Sequence, residues 1–145
     1  MRYFIVDAFA DHVFQGNQAG VSLLEEKLDD RVLQSIAAEN NLAETAFILP
    51  KGEDFDLRWF TPEVEMDLCG HATLAAAYIV SNFVAPAKTT MRFHTQSGLL
   101  VVEKKGDLFE MDFPSRPPEE IPLLPLMEEA LGARVLEAYK ARDLL

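Results

Sequence analysis

Cys69-Gly70-His71-Ala72-Thr73, continued by Leu74-Ala75-Ala76-Ala77-Tyr78-Ile79-Val80, is the stretch that decides the fold of this chain. The run after Thr73 is apolar on every side, so a helix built from it has no solvent face and belongs inside the protein. About twelve residues at ~1.5 Å rise give a rod of ~18 Å, the width of a small domain core. Its entrance reads Gly-His-Ala-Thr. A helix entrance gathers unpaired N–H groups and a partial positive charge, a place for carboxylate or phosphate unless the turn caps itself.

Strands are expected on both sides of this helix. Upstream, Phe55, Leu57 and Trp59 alternate with Asp54, Asp56 and Arg58, which gives one buried and one wet face before Pro62 ends the strand. Thr45 to Leu49 forms an earlier strand, closed by Pro50 and Gly52. It follows a helix capped by Asp29 or Asp30, with Val32, Leu33, Ile36 and Ala37 as its apolar face and Asn40-Asn41 as its stop. Tyr3 to Ala8 is a first strand, and Phe14 to Gly20 reads as a turn before the apolar run Val21 to Leu24. Downstream, segments around Met91 and Phe93, Leu99 to Val102, and Phe109 to Phe113 predict an antiparallel meander turned at Gly98 and Gly106. Pro114 to Pro122 reads as a linker that cannot continue a strand, followed by a short helix from Leu124 to Leu131 ended by Gly132. Arg142 to Leu145 resembles the opening of another strand. The pattern is α+β, with domains expected at 1–115 and 116–145.

Composition narrows the function. A chain of 145 residues with a formal charge of −11 does not suit a nucleic-acid surface, which needs a basic stripe. One cysteine excludes an intrachain disulfide, and no Cys/His cluster has zinc spacing, so no metal is expected. The N-terminus lacks the pattern of a signal peptide, and the longest apolar run is too short for a bilayer. The expectation is a cytoplasmic protein without membrane contact. Gly16 and Gly20 match no phosphate-loop pattern.

Three side chains could carry chemistry. Glu44 lies at the mouth of a core-facing strand, where partial burial raises a carboxyl pKa toward the range of proton transfer; the alternative is a solvated strand end. His71, in the first turn of the interior helix, could donate to a substrate carboxylate or only cap its loop. Cys69, beside a helix entrance, could have a lowered pKa and act as nucleophile or base, or be a small buried hydrophobe. His94 and His12 are read as surface residues.

Three segments together resemble one family. They are Asp7-Ala8-Phe9 with Phe14-Gln15-Gly16-Asn17-Gln18-Ala19-Gly20-Val21, Asn40-Asn41-Leu42-Ala43-Glu44-Thr45-Ala46-Phe47, and Arg58-Trp59-Phe60-Thr61-Pro62-Glu63 through Cys69-Gly70-His71-Ala72-Thr73-Leu74. The chain is similar to the phenazine-biosynthesis PhzF-like family, related in fold to diaminopimelate epimerase and proline racemase. The resemblance implies two lobes, each a barrel-like, mostly antiparallel sheet around a central buried helix, with the active site in the cleft between them. It implies a homodimeric isomerase without metal or organic cofactor. Glu44 would be the acid/base that moves a proton between carbons of a small carboxylate-bearing metabolite. Gly70, His71, Ala72 and Asn17 would contact the substrate.

Two departures stand out. Gln18 replaces the proline of the family's Gly-Asn-Pro turn, and the family's Asp-Pro-x-Thr-Gly-Ser-Ala segment is absent from this sequence. The chain is therefore expected to hold the first lobe and the start of a truncated second, with little turnover alone. Two other functions fit the same sequence. One is a cysteine-dependent amino-acid epimerase or racemase using Cys69; the other is a non-catalytic metabolite-binding or assembly module.

Overall fold

The structure, a computed structural model, describes residues 1–12 and 14–141. The strand expected to open at Arg142 lies outside the described residues. The chain divides into two compact units, residues 1–112 and the described residues from 113 onward.

In the first unit, β1 (Arg2–Ala8), β2 (Asn17–Leu23), β3 (Glu44–Lys51), β4 (Asp54–Phe60), β5 (Glu65–Met66), β6 (Thr90–Thr95), β7 (Gly98–Lys105) and β8 (Leu108–Asp112) form one sheet. Its order is β1-β2-β3-β4-β6-β7-β8, with β5 clipped onto β4. Two joints are parallel, β2 with β3 and β4 with β6, and the remainder antiparallel. A parallel joint needs a crossover. Helix α1 (Asp30–Asn40) supplies the first and α2 (Gly70–Ile79) the second. Helix α2 touches β1, β2, β3 and also β8, so both edge strands reach it and the sheet curls into a half-barrel.

Alternation along β3 assigns the two helices to opposite faces. Phe47 packs with Leu24, Leu33, Ala37 and Phe60 beneath α1, while Glu44, two residues before Ala46 and on its face, meets α2. Strand β3 is consequently buried on both sides: Ala46, Phe47 and Ile48 are at most 2% exposed. The alternation in β4 holds, since Phe55, Leu57 and Trp59 are buried. Phe60, on the expected wet face, is buried as well because α1 covers it. Burying side chains of this size is worth ~1.5–3 kcal/mol each.

The ends of α1 follow the sequence signals. Asp29 caps the helix by accepting from the Arg31 N–H at 2.9 Å, and Asn41 closes it at φ 50° with its N–H on the Ala37 carbonyl. Arg58 then clips α1 to the sheet. Its guanidinium makes two bonds to the Glu65 carboxylate, 2.6 and 2.7 Å, and one of 2.7 Å to Asp30, which pushes its pKa above the usual arginine range.

Several expectations need correction. Asn17 to Gly20 belongs to β2, because pairing with β1 from Ala8 onward overrides the weak strand preference of Asn, Gln and Gly. The chain turns back between Ala8 and Asn17, with Phe9, Phe14 and Gly16 at positive φ. Val32 is exposed, leaving Leu33 and Ala37 as the buried side of α1. The expected helix without a solvent face is also too strong a statement. Six residues of α2 are buried, but Tyr78 is 45% exposed beside a groove of about 700 Å³ lined by Phe4, Leu74, Phe83, Leu108 and Met111. Helix α2 continues into a π-helical turn at Val80–Val84, where Ser81 Oγ and Asn82 Nδ2 both bond to the Tyr78 carbonyl and draw it from the α ladder.

In the second unit, β9 (Glu119–Ile121) pairs antiparallel with β10 (Ala138–Lys140). The proline-rich stretch thus holds a short strand, since Pro118 and Pro122 flank these residues without entering the ladder. Helix α3 (Pro125–Leu131) starts with proline at its first position and ends at Gly132, φ 62°, as the sequence predicts. Among the described residues, no helix is long and apolar enough to cross a membrane.

Candidate functional site

Glu44 is the first residue of β3, and its position follows from the end of α1. The left-handed Asn41 stops the helix three residues earlier, and Asn40 Nδ2 donates to Thr45 Oγ1 at 3.2 Å, tying the last helical residue to the strand. Gly20 lies against the same threonine. A side chain there would put its Cβ 2.8 Å from Tyr3 Oη and 3.0 Å from Thr45 Oγ1, so glycine lets β1, β2 and β3 close together.

The entrance of α2 is built by Cys69 and Thr73. Cys69, extended at φ −147° and ψ 118°, is the capping residue, and its carbonyl accepts both the Thr73 N–H and the Thr73 hydroxyl. Thr73 is fully buried. The N–H groups of the first turn, from Gly70, His71 and Ala72, have no carbonyl one turn below.

These two segments bring Glu44, Cys69 and His71 together. His71 Nε2 lies 3.2 Å from Glu44 Oε2, and Cys69 Sγ lies 3.5 Å from His71 Nδ1. The side chains of Glu44 and His71 are 18% and 10% exposed. The Nε2 contact is close but poorly aligned: its geometry is that of an ion pair in reach and not of a formed hydrogen bond, and Nε2 has no other partner among the described residues. The trio lines neither the 700 Å³ groove beside α2 nor the groove of about 560 Å³ bounded by Leu33, Phe47, Leu57 and His94.

Of the two readings of Cys69, its burial favours the small buried side chain over the activated thiol. Its thiol pKa is pushed up to about 11, first by burial and then by the Glu44 carboxylate nearby, and the backbone N–H groups of Ala72 and His71 only partly offset this. A helix entrance lowers a thiol pKa when the sulfur is also solvated or beside a cation; here it is 8% exposed and beside an acid.

A single metal ion fits this donor set poorly. One atom each of Glu44, Cys69 and His71 fall within 4.8 Å of one another. Sulfur and carboxylate, however, face different ring nitrogens, whose lone pairs diverge. One ion at ~2.0–2.3 Å from each donor would need both on the same nitrogen. The arrangement fits a row of proton donors and acceptors better than a metal centre.

Asn17 opens β2 two residues before Ala19, the partner of Glu44, and therefore shares its sheet face and end, though it is exposed. His94, read as a surface residue, is half-buried and pairs with Asp54 at 3.1 Å, while His12 is exposed. Asn40, read as part of a helix stop, and Thr73, read as part of a helix entrance, also hold the site in place. Their signals are weak: an Asn before a helix stop, and a hydroxyl four residues after the capping residue.

Residues 6–135 match the family described as phenazine biosynthesis-like protein. An uncharacterized isomerase of Pseudomonas aeruginosa is 51% identical over 145 residues, all of this chain and 56% of that protein. A crystal structure of a PhzF-family phenazine biosynthesis protein from Enterococcus faecalis has TM-score 0.87 at 54% identity, covering 94% of this chain and 53% of the other. A protein described as a predicted epimerase from Pseudomonas aeruginosa superimposes with TM-score 0.66 at 29% identity, over 80% of this chain and 45% of the other. The chain spans about half the length of the relatives it matches.

Proposed function

This chain belongs to the phenazine biosynthesis-like family, and from that premise we propose that it is the first part of a cofactor-independent isomerase in which Glu44 moves a proton between carbons of a small carboxylate-bearing metabolite. The observation that carries the reading is the 3.2 Å approach of the Glu44 carboxylate to His71 at the entrance of α2. A substrate carboxylate held by the first-turn N–H groups and the His71 ring would sit beside the one acidic side chain of the trio.

The chemistry asked of Glu44 is simple. Its carboxylate accepts a proton from a carbon next to an unsaturated bond, the C–H electrons shift along the conjugated system, and the carboxylic acid returns the proton to the far carbon. Nothing is consumed. A positioned acid/base of this kind contributes ~10²–10⁴-fold. Polypeptide from a second lobe is proposed to complete the pocket, in line with relatives about twice as long. The raised thiol pKa weighs against Cys69 as the base of a racemase.

The test is solvent deuterium incorporation by the full-length protein into a panel of small cyclic and unsaturated acids, beside its Glu44→Gln variant. Exchange that the variant abolishes supports the reading. Undiminished exchange in the variant removes Glu44 from the mechanism, and ligand binding without any exchange points to a non-catalytic module.

A further inference from the structure

We propose that Cys69 is a positioning residue: its S–H donates to His71 Nδ1 and so holds the imidazole in the tautomer that carries its proton on Nε2, the nitrogen facing Glu44. This goes beyond the proposed function and rests on it only for the use to which the tautomer is put in turnover.

The geometry constrains the ring from both ends. At one end Sγ lies 3.5 Å from Nδ1, within reach for a donor as large as sulfur. The ring nitrogen is the polar side-chain atom in reach of that sulfur, so its S–H has an acceptor there. Burial keeps that sulfur in the thiol form, so the proton is there to donate. At the other end a carboxylate oxygen, an acceptor, lies 3.2 Å from Nε2.

A neutral imidazole has one N–H to place, and both neighbours ask for it on Nε2. The opposite tautomer would set a nitrogen lone pair against carboxylate lone pairs and turn N–H toward S–H. The lone-pair clash at Nε2 is unscreened in a site only 10% exposed at the histidine. The consequence is a buried, unspent N–H at Nε2, aimed beside Glu44 and ready for an acceptor group of a ligand. Glu44 can take a carbon-bound proton while His71 offers a donor.

Nitrogen NMR on the full-length protein labelled with ¹⁵N-histidine tests this, with His71 assigned through His71→Gln. The expected spectrum near neutral pH shows one tautomer, Nδ1 resonating as an unprotonated nitrogen and Nε2 as a protonated one. Cys69→Ala should convert it to a mixture, and Cys69→Ser, which restores a donor at the same place, should return the single tautomer. A proton on Nδ1 in the unmodified protein overturns the proposal, as does an alanine variant with an unchanged ring or a serine variant as mixed as the alanine one. Should Cys69→Ala fail to fold, the spectrum of the unmodified protein still decides. The readout needs no turnover, so this result and the Glu44→Gln exchange result can fail separately.

Discussion

Glu44 and His71 approach to 3.2 Å although one opens a strand and the other stands in the first turn of a helix, on segments separated by β4 and β5. Each is held by its own local device, the left-handed Asn41 upstream of one and the Thr73 clamp on Cys69 beneath the other.

Glu44→Gln keeps the size of the side chain and removes its basicity. In the full-length protein, solvent deuterium exchange should fall ~10²–10⁴-fold while the fold persists. Exchange rates beside a circular dichroism spectrum check both halves.

His71→Gln should weaken capture of a carboxylate ligand. A hydrogen bond to a charged group is worth ~1.5–3 kcal/mol, a ~10–150-fold loss in affinity. Titration calorimetry with a ligand that the unmodified protein binds measures it, and unchanged affinity would exclude His71 from binding.

Cys69 makes stability depend on alkaline pH in a defined direction. Its thiol titrates at about 11 when folded and near 9.0 when exposed. Above pH 9 the unfolded state therefore holds fewer protons than the folded one, and stability falls as pH rises toward 11. Denaturant melts of the unmodified protein and Cys69→Ser should converge over this range, by ~2–3 kcal/mol at most. The same burial predicts slow alkylation by iodoacetamide in the folded state and fast alkylation in urea.

Gly20→Ala should destabilise the first unit by ~1–3 kcal/mol, because its Cβ would meet Tyr3 Oη and Thr45 Oγ1 at 2.8 and 3.0 Å. Combining it with Tyr3→Phe removes the nearer of these atoms and should recover part of the loss in chemical denaturation.

The stop of α1 gives a backbone prediction. Asn41→Val forces a β-branched residue into φ 50° and should cost ~1–2 kcal/mol, while Asn41→Gly should be close to neutral. Equal melts for the two variants would show that this helix end does not hold the start of β3.

Much of the fold was legible because local chemistry repeats with the right period. Phe55, Leu57 and Trp59 announce β4, Asp29 and Asn41 bracket α1, and Gly132 ends α3. The errors fall where pairing outweighs propensity. Asn17 to Gly20 read as a turn until β1 supplied a ladder, and Glu65–Met66 had no strand signal apart from its place beside β4. Tyr78 looked interior because its neighbours are apolar, yet it stands where the curled sheet leaves α2 uncovered.

The sequence by itself determined the kinds of element, the helix entrance at Cys69-Gly70-His71, and the three residues able to do chemistry there. Only the tertiary structure decided that they meet, that sulfur and carboxylate take opposite nitrogens of one ring, and that the thiol is harder to ionise. Periodicity and caps are properties of neighbouring residues and are written along the chain. Distance between segments, and the loss of water around a sulfur, arise when the sheet curls and brings separate strand and helix ends into one place.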